Sequence, residues 1–204
     1  QKLEIMVIVD GAHAPAQIGL NIKKLGADIY TGACHKWMLC PKGVSFLYSS
    51  KKMQKQLEPL VVSWGWESDN PSHSKFLDHH QYQGTNDISG YLSVPMAIQF
   101  LNKNNWNEVK KYCHKKIIKS RDILLRTLGT TPICSNGYLG QMTSIQINVP
   151  DSMKLYKYLK ENNIVVPVID WNGLVFIRVS FQCYNSMEDI ETLNYHLKKY
   201  LDSI

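Results

Sequence analysis

The sequence predicts an α/β fold in which a parallel βαβ unit is followed by a small α+β domain. An apolar run at 4–9 ends in the turn "VDGAHA", and helical spacing over 15–26 leads to a second strand at 27–31. A strand, a crossover helix and a strand are typical of a right-handed parallel unit. After Pro132, short strands alternate with amphipathic helices, which indicates the α+β layer.

The remaining elements follow the same rules of periodicity and punctuation. In the first part, we expect a third strand of the parallel sheet at 43–49, a helix at 50–60, an irregular loop at 61–87, and helices at 89–102 and 105–128. In the second part, we expect strands at 144–149, 164–168 and 174–180, and helices at 153–162 and 187–201. We therefore predict a boundary near residue 104, with domains at 1–104 and 105–204.

Composition excludes several classes of protein. Hydrophobic residues make up 44% and charged residues 20% of the 204 residues, as in ordinary globular proteins. The net charge is +6, but the lysines are scattered rather than clustered with aromatics, which disfavours a nucleic-acid-binding protein. No run is apolar enough to predict a membrane span. The five cysteines include no CxxC pair, which predicts free thiols and a cytoplasmic location.

Two side chains follow the ends of the first two predicted strands. Asp10 ends the first strand, and Lys36 follows the second in "YTGACHKW". Ligands of open α/β sheets bind beyond the carboxyl ends of the strands. We therefore expect Asp10 and Lys36 to point into one crevice.

A lysine and a carboxylate so arranged suit pyridoxal phosphate. That cofactor needs a lysine for its Schiff base and a carboxylate for its pyridine nitrogen. Asp10 fits the carboxylate, His13 could reach the phenolic oxygen, and His35 could donate to the phosphate. Taken singly, Asp-Gly is typical of a turn and His-Lys of a surface, so the prediction depends on their combination and order.

Three segments carry a resemblance to a known family. "VDGAHAPAQIGLNIKKLGADIYTGACHKWMLCPKGVSFLY" resembles the cofactor-lysine region of fold-type I, class V aminotransferase-like enzymes. "FLDHHQYQGTNDISGYLSVPMAIQFL" is similar to a segment of the isopenicillin N epimerase-like branch. "FIRVSFQCYNSMEDIETL" resembles the C-terminal Arg-x-Ser motif of the family.

The resemblance implies a role for each matching residue. Lys36 would be the Schiff-base lysine, Asp10 the partner of the pyridine nitrogen and His13 a neighbour of the ring oxygen. His35 would bind the phosphate. Thr85, in "QGTND", would reach the phosphate of a second subunit, so the resemblance implies a homodimer with shared active sites.

The resemblance also implies a substrate class. Arg178 would bind the α-carboxylate of an amino acid or an amino-acid-derived substrate as a two-pronged partner. Many relatives have Ser or Asn where this chain has Ala33, so one phosphate hydrogen bond is lost or replaced. The N-terminal half of the family has no counterpart here. We therefore expect the domain at 1–104 to be a partial large domain, and this chain alone to bind cofactor poorly.

The reaction stays open among several alternatives. The resemblance favours an epimerase, but the cofactor equally supports an aminotransferase or a lyase that breaks a C–S bond or eliminates at Cβ. Cysteine desulfurases need a nucleophilic cysteine before the carboxylate-binding arginine, and 161–177 contains none. A non-catalytic remnant of the fold is the alternative from another class.

Other clusters invite a second hypothesis. "HSKFLDHH" contains His73, Asp78, His79 and His80, but neighbouring histidines diverge in an extended chain, so we expect no metal site. Cys34 and Cys40 flank Lys36, and we interpret them as small buried residues rather than reactive thiols.

Overall fold

The chain forms two compact units, Gln1–Asn104 and Asn105–Ile204, which are described separately. The structure is a computed structural model that describes Leu3 and residues 5–204. Residue 4, the first of the predicted apolar run, lies outside the described residues.

A three-stranded sheet forms the centre of the first unit. Its strands are β1 (Ile8–Asp10), β2 (Ile29–Ala33) and β3 (Ser45–Ser49), in the order β1-β2-β3. β1 and β2 are parallel, as the sequence predicts. β3 is antiparallel to β2, so the expectation of a third parallel strand was wrong. Residues 34–44 connect β2 to β3, a connection shorter than the dozen or more residues that a parallel crossover needs.

The crossover between β1 and β2 is mostly turns rather than a helix. Only α1 (Ile22–Leu25) is helical, where the sequence predicts a helix over 15–26. Ala16 has a φ of 62°, a left-handed conformation that interrupts any helix across it. The predicted stop at Gly26 is present, with a φ of 71°.

The rest of the first unit departs from the prediction in three places. The predicted helix at 50–60 shrinks to one 3-10 turn, Met53–Lys55, because Pro59 disfavours helical backbone before it. The irregular segment at 61–87 contains α2 (Lys75–Gln81), whose first turn is capped by the Ser74 hydroxyl. The helix expected at 89–102 is split into α3 (Ser89–Leu92) and α4 (Val94–Lys103).

The second unit is an α+β layer of three strands and three helices. The strands are β4 (Met142–Ile147), β5 (Val168–Trp171) and β6 (Leu174–Ser180), antiparallel and in the order β4-β6-β5. The helices are α5 (Trp106–Leu128), α6 (Ser152–Glu161) and α7 (Met187–Leu201). α7 begins with a capping box between Ser186 and Asp189 and has the bounds that the sequence predicts.

One face of the second sheet supplies the core. Val175, Ile177 and Val179 alternate along β6 and belong to one buried cluster with residues of all three helices, such as Leu155 and Leu197. Each such side chain contributes about 1.5–3 kcal/mol by leaving water. The intervening residues of β6 point to the other face, so Arg178 is half-buried on the side away from that cluster.

The cysteines are free thiols of contrasting exposure. Cys113 is fully buried in the second unit, and burial raises its pKa to about 11, with a further contribution from Cys183. The pKa of Cys34 is raised by burial and by Cys40 nearby. Burial also raises the pKa of Cys40, which makes both thiols that flank Lys36 poor nucleophiles.

Among the described residues, no helix combines the length and the apolar character needed to cross a bilayer.

Candidate active site

Asp10 lies at the carboxyl edge of the first sheet. In the parallel pair it faces Thr31 of β2, and β2 continues to Ala33 before the chain turns. The end of β1 and the turn after β2 therefore meet at one edge, as expected for a ligand site of an α/β sheet.

A tight turn carries Lys36 between β2 and β3. The backbone N–H groups of Cys34 and His35 both donate to the carbonyl oxygen of Val44, over 2.9 and 3.1 Å. The N–H of Cys40 returns to the carbonyl of Cys34 over 3.1 Å. These bonds fix the backbone on both sides of Lys36, and Ala33 and Cys34 before it are buried.

The amine of Lys36 contacts the imidazole of His13. Lys36 Nζ is 3.1 Å from His13 Nε2. The other ring nitrogen, Nδ1, accepts a hydrogen bond of 3.2 Å from the indole Nε1–H of Trp37. Two adjacent residues of the turn therefore hold the two nitrogens of one imidazole.

The loop after β1 brings His13 to this place. Gly11 N–H donates to the carbonyl of Thr31 over 2.9 Å, and the buried Gln17 side chain donates to the carbonyl of His13 over 2.9 Å. The Tyr30 hydroxyl donates to the Gly11 carbonyl over 3.2 Å. A Cβ at Gly11 would overlap that hydroxyl, so the approach requires glycine.

Asp10 is exposed and held by its own turn. Its Oδ1 accepts a hydrogen bond of 3.0 Å from the N–H of Ala12. Burial raises the pKa of the Tyr30 hydroxyl, and the negative charge of Asp10 raises it further, which indicates that the carboxylate lies near that ring. Within the described part of the chain, Oδ2 receives no hydrogen bond and remains available to a ligand.

His35 uses one ring nitrogen inside the turn. Its Nδ1 is 2.8 Å from the Val44 carbonyl oxygen, and a carbonyl only accepts, so Nδ1 carries the hydrogen. Nε2 can donate to a phosphate only if the ring is the imidazolium. The structure thus defines which protonation state of His35 suits an anion.

Four predicted site residues are thus assembled at one edge: Asp10, His13, His35 and Lys36. Thr85 lies elsewhere in the first unit, exposed, with its hydroxyl 3.3 Å from that of Tyr82. Arg178 belongs to the second unit, where it pairs with Ser144 in the sheet. A groove of ≈ 400 Å³ adjoins the end of β6 and includes Arg178 in its lining.

Among the described residues Arg178 forms no ion pair, although Asp189 lines the same groove. Two ion pairs join side chains of residues 5–204, and both involve lysine. A half-buried arginine without a carboxylate partner in its own unit is available to an external one.

Sequence reasoning missed two residues of this site. Trp37 was read only as part of a motif, and its signal is its position directly after the lysine. The only sequence signal for Gln17 is its spacing of four residues from His13, and its side chain donates to the backbone carbonyl of His13.

The side chains of the histidine-rich segment around α2 contact different partners instead of converging on one site. His79 is buried and stacks on Trp66 with ring centroids 4.4 Å apart. His80 Nδ1 lies 2.8 Å from the Phe76 carbonyl, and Asp78 accepts from the N–H of Ser72. Among the described residues, no group of three or more His, Cys, Asp or Glu side chains could hold a metal ion.

The assembled residues fit pyridoxal phosphate by their chemistry. A turn-mounted amine contacts a histidine, a carboxylate with an available oxygen ends the neighbouring strand, and a second histidine adjoins the amine. An amine, a carboxylate and a possible phosphate donor are the groups that this cofactor requires.

A profile of the family described as aminotransferase class-V matches residues 1–193. The chain belongs to this family. The match confirms the family resemblance stated from the sequence.

Individual relatives add detail. The chain is 32% identical to the isopenicillin N epimerase of Amycolatopsis lactamdurans over 96% of this chain and 52% of that protein. It is 29% identical to a probable chloroplastic L-cysteine desulfhydrase of Arabidopsis thaliana, over 92% of this chain and 42% of the relative. The chain therefore spans about half the length of these relatives.

Solved structures confirm the fold. The apo cysteine desulfurase of Thermococcus onnurineus NA1 superposes with a TM-score of 0.77 at 19% identity, over 98% of this chain and 53% of that one. A cystine C–S lyase, C-DES, solved with cysteine persulfide, gives 0.73 at 21% identity, over 95% and 52%. The predicted fold type I is thus confirmed.

Proposed function

We propose that this chain carries the cofactor lysine of a pyridoxal-phosphate enzyme that acts at Cα of an amino acid or an amino-acid-derived substrate. The observation that carries the proposal is the contact of 3.1 Å between Lys36 Nζ and His13 Nε2, beside the strand end that bears Asp10. In this proposal 1–104 is a partial large, cofactor-binding domain and 105–204 the small C-terminal domain.

Each residue at the sheet edge has a task that its contacts support. Lys36 attaches the cofactor and, once released, takes or returns the proton at Cα on its own face. Asp10 offers Oδ2 to the protonated pyridine nitrogen, while Oδ1 stays bonded to Ala12. His13 presents Nε2 towards the ring oxygen, and His35 contributes a positive charge to the phosphate. The bound cofactor supplies the electron-withdrawing ring that weakens the bonds at Cα.

Arg178 is the proposed partner of the substrate carboxylate. Its half-buried guanidinium has no carboxylate partner in the described part of its unit, and its planar fork matches a carboxylate in two places. A free α-carboxylate is therefore the feature by which we expect substrates to be selected.

For the reaction, we propose epimerisation, with a lyase step or transamination as the alternatives. The relative of highest identity among those described is an epimerase, and another is a desulfhydrase. The absence of cysteine from 161–177 disfavours desulfuration by a cysteine nucleophile. A protein that keeps the fold without turnover remains the outcome if no substrate reacts.

The assembly that we propose is a two-fold homodimer with shared active sites. Thr85 is exposed and followed by α3 and α4, where Leu92 and Met96 are both more than half exposed. An apolar surface beside an exposed hydroxyl suits an interface through which Thr85 reaches a second subunit's phosphate. The free thiols of the chain support a cytoplasmic location.

The first prediction concerns the cofactor lysine. Borohydride reduction of a full-length protein that contains this chain, with its cofactor, should leave a permanent adduct, which peptide mapping assigns to Lys36. Lys36→Ala should abolish the adduct, and Lys42→Ala, an exposed neighbour in the same unit, should not. An adduct on any other lysine would contradict the assignment.

The second prediction concerns the reaction. Incubation of the full-length enzyme with amino acids in deuterated water should place deuterium at Cα, because Lys36 exchanges the proton with solvent on its own face. Inverted configuration of the labelled product would indicate an epimerase, in which a second acid/base acts on the opposite face of Cα. A keto acid with the amine retained on the cofactor would indicate an aminotransferase, and released ammonia or a sulfur species a lyase. If no amino acid exchanges and the cofactor spectrum never changes, the non-catalytic alternative replaces this proposal.

The third prediction concerns Arg178. Arg178→Lys should raise KM for the amino acid by about tenfold to hundredfold, because a point charge replaces two parallel charge-assisted hydrogen bonds. The cofactor affinity should stay the same, since the change lies in the second unit. Arg126→Lys, the same change at an exposed helical site, is the control and should leave KM unchanged. Equal effects at both positions would remove the proposed role.

The fourth prediction concerns the dimer. Mixing inactive Lys36→Ala and Thr85→Ala subunits should restore up to about one quarter of the wild-type activity, because each heterodimer has one intact site. Mixing Lys36→Ala with Asp10→Asn should restore none, since both residues belong to the same protomer's site. Lack of recovery despite measured subunit exchange would count against a shared site.

A further inference from the structure

We infer that Trp37 is a positioning residue that fixes the tautomer of His13, so that the ring hydrogen lies on Nε2 and points to Lys36. The inference rests on the proposed function, in which Lys36 holds the cofactor, and its evidence is two contacts of His13. Trp37 Nε1 lies 3.2 Å from His13 Nδ1, and Lys36 Nζ lies 3.1 Å from His13 Nε2.

The direction of the first hydrogen bond follows from the donor alone. An indole nitrogen has a hydrogen and no available lone pair, so Trp37 can only donate. His13 Nδ1 must therefore accept, and it carries no hydrogen. A neutral imidazole has a single N–H, which is then on Nε2.

The direction of the second hydrogen bond follows from the first. Nε2–H of His13 donates, so Lys36 Nζ accepts. The chain of donors runs from Trp37 through His13 to Lys36.

Alternative ring states are opposed by the same tryptophan. The other tautomer and the imidazolium both place a hydrogen on Nδ1, where it would face the indole hydrogen across a nitrogen–nitrogen distance of 3.2 Å. Trp37 is only 8% exposed, so water has little access to the indole and cannot separate the two hydrogens.

Both partners are held in position by backbone bonds. The turn that bears Trp37 is closed by the bond from Cys40 N–H to the Cys34 carbonyl, and the loop that bears His13 is tied by Gln17. The tautomer is therefore built into the rigid part of the site. If the ring oxygen of the cofactor took the place of the Lys36 amine, it would accept from the same Nε2–H of His13.

The test reads the tautomer directly, without turnover. Cofactor-free protein with ¹⁵N-labelled histidine should give a two-bond spectrum in which His13 has a hydrogen-free Nδ1 and a protonated Nε2. The His13→Gln spectrum assigns the signals. In Trp37→Phe the ratio of tautomers should fall by about two- to tenfold, the effect of one hydrogen bond, which brings the two ¹⁵N shifts closer together.

A second readout follows the amine. Trace acetylation should modify Lys36 less readily in Trp37→Phe than in wild type, because a ring free to change tautomer can present an acceptor to the amine instead of a donor. The exposed lysines of the same sample provide the internal standard. Trp64→Phe, the same change at a site 86% exposed, should alter neither readout.

A shape-preserving variant removes the ambiguity of a folding defect. Replacing Trp37 by 3-benzothienylalanine exchanges the indole N–H for sulfur, and it should reproduce the tautomer shift of Trp37→Phe with unchanged thermal unfolding. An unaltered His13 spectrum in this variant would overturn the inference. Borohydride mapping on the same proteins reports the cofactor lysine separately, so either proposal can fail without the other.

Discussion

The carbonyl oxygen of Val44 is the anchor on which the candidate site depends. It accepts from the N–H of Cys34, from the N–H of His35 and from His35 Nδ1, all within 2.8–3.1 Å. Three donors on one oxygen define the backbone and one side chain of the turn at the same time. The position of Lys36, and through it the contact with His13, follows from that closure.

Chemistry and hydrogen-bond direction constrain one another at this edge. The imidazole of His13 lies between a donor-only indole and an amine, so its orientation is not free to be set by the ligand alone. In His35 the ring hydrogen lies on Nδ1 instead, because Nδ1 must donate to the Val44 carbonyl. Two histidines of one small site thus have different assigned hydrogens, each determined by a neighbour that cannot change its own role.

Sequence predicted the parts of the fold that depend on periodicity and strong end signals. α7 has a capping box and a clear apolar stripe, and its predicted bounds match the structure. The helix predicted over 15–26 was mostly wrong because the left-handed Ala16 cannot be read from spacing. The reversal of β3 was missed because a short connection excludes a parallel crossover, a rule of geometry rather than of composition.

The candidate site was predictable in its residue types and only partly in its geometry. Asp10, His13, His35 and Lys36 came from the motif and its chemistry, and the strand register brings Asp10 and the lysine turn to one edge. Trp37 and Gln17 were missed because they act by donating hydrogen bonds to the ring and the backbone of His13. A single sequence contains no signal for the direction of a side-chain hydrogen bond.

The antiparallel return of β3 makes the lysine-bearing edge a local assembly. The strands, the loop and the turn that bring the carboxylate, the imidazole and the amine together all lie within residues 8–49. The entropy of closing a loop rises only with the logarithm of its length, so contacts this near in sequence form at small cost and early in folding. The edge that carries Lys36 is therefore expected to be organised by its own segment of the chain.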